Sequence, residues 1–166
     1  MGYTVIDIID KSIEIENKRK NILISVECDK KNLPIISLMS KVLIKDIEMN
    51  MERYHELKNE MLFEELEVIS FEIYDKISAL IIEFHNKEYM TIAKNVEEYL
   101  NFSLHLDKDT YSLFVDIKGR FVKNIDDMET KTYAVLSKII ECMNKRIHSH
   151  EQTLKKITKN SVWIME

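Results

Sequence analysis

The sequence predicts an all-α fold built as a bundle of two helix hairpins, and three observations carry that expectation. Two glycines and one proline in 166 residues leave few sites for tight turns. Apolar residues recur at three- and four-residue spacing along four long stretches, the signature of helices with one buried face. Two short phrases, each carrying an acid, occur in the same order in both halves of the chain. A chain of this length forms one domain, residues 1–166, with a core that needs no disulfide or metal to hold it.

The first helix is expected over about residues 4–28, where Val5, Ile9, Ile13, Leu23 and Val26 form a stripe that Ile8, Ile15 and Ile22 widen. Projection at about 100° per residue places Glu16 near the middle of that apolar face. A carboxylate there must be partnered, protonated or bound to a cation, because burying it bare costs several kcal/mol. Residues 29–33 read as a loop, with Asn32 as a cap and Pro34 in the first turn of a second helix. That helix runs to Met61 on a stripe of Ile36, Met39, Leu43, Ile47, Tyr54 and Leu57, which completes a hairpin over about 4–61. Glu48, Glu52 and His55 project to the opposite side with Lys41 and Lys45, the pattern of a solvated face.

Residues 64–86 are too long for a bare loop and carry a one-sided apolar pattern from Leu66 to Phe84, which predicts a crossover helix. A third long helix comes next, over about 91–122, with Tyr99, Phe102, Leu106, Phe114, Ile117 and Phe121 inward and Ser103 and Asp107 on the same face. Residues 124–127 read as a loop with Asp127 as the cap of a fourth helix over about 128–158, so the second hairpin spans about 91–158. Its stripe runs from Tyr133 to Leu154 with His150 inside, while Glu141 and His148 point outward. The tail is expected to fold Trp163 back on the bundle.

Composition excludes several functions. A formal net charge of −5, with the basic residues scattered among acids, argues against nucleic-acid binding, which needs a clustered basic surface. No apolar run approaches the roughly 18 residues of a membrane span, and Met1-Gly2-Tyr3-Thr4 opens no signal peptide, so a cytoplasmic location is expected. Cys28 and Cys142 are isolated and form no disulfide framework or metal-binding pair. No glycine-rich phosphate loop or nucleophile motif can be assembled.

The repeated phrases are Ser12-Ile13-Glu14-Ile15-Glu16 with Ser103-Leu104-His105-Leu106-Asp107, and Lys45-Asp46-Ile47-Glu48 with Lys138-Ile139-Ile140-Glu141. Arg53-Tyr54-His55 and Arg146-Ile147-His148 extend the second pair. Both recur at nearly the same offset, as a duplicated helix hairpin would. This arrangement resembles the ferritin-like superfamily, and its rubrerythrin-type members in particular. In that family two hairpins joined by a crossover form an up-down four-helix bundle, and each half supplies a first-helix acid and a second-helix E-x-x-H to two irons.

By that resemblance Glu16 and Asp107 are the first-helix metal ligands and Glu48 and Glu141 the second-helix ones, with iron or manganese as the metal. The sequence departs from the family where Met51 and Asn144 stand three residues after Glu48 and Glu141. Glu52-Arg53-Tyr54-His55 spells E-x-x-H once, but its repeat partner begins with Lys145. At about 1.5 Å rise per residue Glu16 lies roughly 18 Å from the first loop, Glu48 roughly 22 Å and His55 roughly 33 Å, so His55 is out of reach of an ion held by Glu16. The competing reading has Glu16 and Asp107 satisfied by Arg19, Lys20, Tyr111 or a core hydroxyl, and His150 hydrogen-bonded in the core. The expected protein is therefore a rubrerythrin-like bundle with an altered or lost di-iron site, acting by binding or self-assembly as a homo-oligomer such as a dimer. The alternative is a di-iron carboxylate protein that reduces dioxygen or peroxide or binds iron.

Overall fold

Two antiparallel helix pairs and one intervening helix make up the computed structural model, which describes residues 2–29, 34–89 and 92–162. Helices α1 (Val5–Asp29) and α2 (Pro34–Met61) pack along each other as one pair, and α4 (Val96–Phe121) and α5 (Lys131–Val162) as the other. Helix α3 (Phe71–Asn86) lies against α4 and also touches α1. Among the described residues the fold is all-helical, apart from an isolated antiparallel bridge between Tyr3 and Ile69. No described helix is long and apolar enough to cross a membrane. The expected Asn32 cap and the packing of Trp163 fall outside the described residues.

The buried stripes match the sequence periodicity. Val5, Ile8, Ile9, Ile13 and Ile15 meet Phe114, Ile117, Leu136 and Ile139 in one core cluster, which α3 seals with Ile77, Ile81 and Phe84. Leu23, Val26, Ile36 and Ile47 meet Tyr99 and Leu106 in a second. Repeated positions share one burial pattern: Ser12, Ile13, Ile15 and Glu16 are buried with Glu14 exposed, as are Ser103, Leu104, Leu106 and Asp107 with His105 exposed.

Three element starts differ from the sequence expectation, each for a local reason. The crossover helix begins at Phe71, not near residue 64, because the Ser70 side chain accepts from the Ile73 N–H and caps it there. The preceding stretch is extended: Ile69 donates to the Tyr3 carbonyl at 2.7 Å, and Glu67 accepts from the Lys131 N–H at 2.9 Å. Helix α4 starts at Val96, not at 91, because Asn95 accepts from the Glu98 N–H while Glu98 reaches back to the Lys94 N–H, a reciprocal capping pair. Asp127 does not cap α5; it accepts from the Lys123 and Asn124 N–H groups and closes the turn ahead of a single 3-10 turn, Asp126–Glu129. Thr130 takes the capping role, its hydroxyl accepting from the Tyr133 N–H at 3.1 Å.

On the side away from α3, α2 and α5 face each other across surface grooves lined by both helices. Leu106, fully buried between the two pairs, tests the packing. Leu106→Ala is expected to cost about 2–5 kcal/mol in urea unfolding. Phe63→Ala, at a site 92% exposed, should change stability by less than about 0.5 kcal/mol.

Candidate functional site

Between the two apolar clusters lies a group of buried charges contributed by three helices. Glu16 and Arg19 stand one turn apart on α1, so their side chains share a face, and both are buried. Arg19 Nη1 donates to Glu16 Oε2 at 2.6 Å, and Arg19 Nη2 donates to Asp107 Oδ1 on α4. One guanidinium thus joins both buried acids. On α5, His150 Nδ1 donates to Asp107 Oδ2 at 3.0 Å. Arg146, one turn earlier, places Nε 3.5 Å from Asp107 Oδ1 and Nη1 3.8 Å from Glu16 Oε1. These last two separations are ion pairs beyond hydrogen-bond length.

The electrostatics arise from this geometry. Burial opposes the Arg19 cation, but Glu16 and Asp107 outweigh it and raise its pKa above the ordinary arginine value. Burial likewise opposes ionisation of Asp107, yet Arg19, the hydrogen bond from His150 and Arg146 hold its pKa below the usual carboxylate range. Tyr54 on α2 borders the cluster, and its phenol is pushed up by burial and then by the Glu16 charge.

The four acids singled out in the sequence do not meet. Glu16 and Asp107 come together through Arg19, whereas Glu48 and Glu141 project into solvent, as their helix faces require. Glu48 pairs with Lys20 at 2.5 Å and Glu141 with Lys145 at 2.6 Å, one turn along its own helix. His55 is exposed, as is His148, which contacts Gln152. A pair of irons does not fit this donor set. The two inner carboxylates face guanidinium groups, and of the histidines only His150 joins them, whereas such centres take several carboxylates with imidazole. Among the described residues no group of three or more His, Cys, Asp or Glu side chains is placed to hold a metal ion.

Sequence reasoning named Arg19 as a possible partner and His150 as inward, but it did not find Arg146 in the site. The available signal was its one-turn spacing to His150 on the stripe of α5. Comparisons of the chain with protein-family models, with curated proteins and with solved structures find no match.

Arg19→Leu leaves two buried carboxylates with only the more distant Arg146 as cation and is expected to cost about 3–5 kcal/mol in urea unfolding. A Glu16→Leu, Arg19→Met, Asp107→Leu, Arg146→Met quadruple variant should recover most of that loss, since removing both acids together with both arginines also removes their desolvation cost. Because its folded pKa is lowered, Asp107 contributes stability that is present above about pH 4 and is lost as pH falls through the folded value. Asp107→Asn should therefore flatten the acid limb of a stability-against-pH curve.

Proposed function

We propose that the chain is a rubrerythrin-like bundle of the ferritin-like type whose di-iron centre has been altered into an arginine–carboxylate–histidine cluster, and that it acts by binding or self-association instead of redox turnover. The observation that carries this reading is Arg19, whose guanidinium bridges Glu16 and Asp107 where the family places a metal. Two further features support it. The outward Glu48 and Glu141 are each paired with a lysine, and Arg146 adds a second cation beside the same two acids. A buried cation among carboxylates repels a metal ion and removes the oxygens that would ligate it.

Self-association as a homodimer has a candidate face in Ile35, Leu38 and Val42, exposed on α2 at helical spacing. Metal analysis tests the main reading. After anaerobic ferrous loading and desalting, the protein is expected to retain no stoichiometric iron or manganese. Two metal ions per chain, lost in a Glu16→Ala, Asp107→Ala variant, would restore the di-iron function. Light scattering tests the dimer: mass above the monomer should fall to the monomer value in Leu38→Glu, and a wild-type monomer rejects it.

A further inference from the structure

The charged cluster is also the floor of a cleft between α2 and α5, and its hydrogen-bonding capacity there is lopsided. Every carboxylate oxygen of the cluster except Glu16 Oε1 accepts a hydrogen bond from Arg19 or His150. Arg19 Nε, Arg146 Nε, Arg146 Nη1 and His150 Nε2 are buried and have no hydrogen-bond partner among the described residues. With the His150 proton on Nδ1 given to Asp107, Nε2 is an acceptor. Three guanidinium nitrogens with spare donors, Arg19 Nε, Arg146 Nε and Arg146 Nη1, therefore stand against two spare acceptors, Glu16 Oε1 and His150 Nε2, and a buried donor left unmade is costly. Arg19, Arg146 and His150 line the cleft, and the side chains of Arg19 and His150 are only 3% and 5% exposed.

The rest of the cleft is of a different character. Leu23, Met39, Leu43, Ile47 and Leu100 form its wall, Ser103 and Ser149 stand beside the charged floor, and Asp46 lies on the solvent side. Its volume is about 230 Å³, and pockets for drug-sized molecules begin at roughly 300 Å³, so a smaller ligand is indicated. We infer that this cleft binds a compact monocarboxylate with an apolar tail, its carboxylate taking the spare donors of Arg146 and its tail lying against Leu43, Ile47 and Leu100. A carboxylate offers two oxygens to a guanidinium edge and no donor that the cluster would have to satisfy. A free inorganic oxyanion matches the floor but leaves the apolar wall uncovered.

The inference rests on the reading of the cluster as metal-free, so both are tested on one preparation of the full chain whose iron content is measured. Hexanoate is titrated into the labelled protein and monitored by amide chemical shifts. Saturable one-to-one binding is expected, with shifts centred on the cleft. Arg146→Gln should weaken it roughly tenfold or more by removing a charge-assisted donor pair. Leu43→Trp should abolish it by filling the cleft while leaving the charged floor intact, and thermal melts of both variants verify folding. Inorganic phosphate should bind more weakly than hexanoate and be less sensitive to Leu43→Trp. In iron-free protein, absence of a saturable shift, unchanged affinity in a folded Arg146→Gln, or phosphate binding as tightly as hexanoate would overturn the ligand assignment. Stoichiometric iron in the same sample would instead overturn the functional reading on which it rests.

Discussion

The bridge from Arg19 to Glu16 and Asp107 ties α1 of the first helix pair to α4 of the second through the middle of the core. It is a constraint before it is a source of stability. Buried ion pairs repay little more than their desolvation cost when whole, and leave an expensive bare charge when broken. A slide of α1 against α4 by one helical turn, about 5.4 Å, would strip Asp107 of its cation and set Glu16 against apolar side chains. Apolar stripes alone tolerate such slides far better, because one isoleucine replaces another. The charges thus fix the axial register that the hydrophobic faces leave loose.

The two halves carry the same pattern of burial along their first helices, and the site arises where that symmetry fails. Arg19 occupies the position that Thr110 holds in the second half, and Thr110 spends its hydroxyl on the Leu106 carbonyl of its own helix. Only one half therefore supplies a cation at this level. On the second helices the repeated arginines diverge as well: Arg146 turns to the buried acids, while Arg53 is exposed and contacts Asn50. His150 stands where the first half has Leu57. Two departures from the repeat, Arg19 and His150, and one repeated arginine that turns inward, Arg146, thus surround two acids that keep it, and together they turn a symmetric pair of carboxylates into a one-sided cluster facing the groove between α2 and α5.

Much of the fold was legible because helical periodicity is local. The α2 boundaries could be read from Pro34 and from the end of its stripe at Met61, and the burial of Glu16 and Asp107 could be read from angular position alone. The starts of α3 and α4 were placed too early because apolar spacing continues through Leu66, Ile69 and Ala93. Ile69 and Ala93 do enter the core, but from extended backbone ahead of the Ser70 and Asn95 caps. Asp127 shows the same ambiguity, since an aspartate just ahead of a helix can close the preceding turn as readily as it can cap the helix itself.

The sequence by itself determined where the long helices run, apart from the starts of α3 and α4, which faces are apolar, and that two acids lie inside and need a partner, a proton or a cation. It determined these because each depends on spacing within one helix. Only the tertiary structure decided the partners: that Arg19 serves both acids at once and that Arg146 and His150 approach them from α5. Pairing across helices depends on their relative rotation and axial offset, which packing over the whole chain sets and no single stretch encodes.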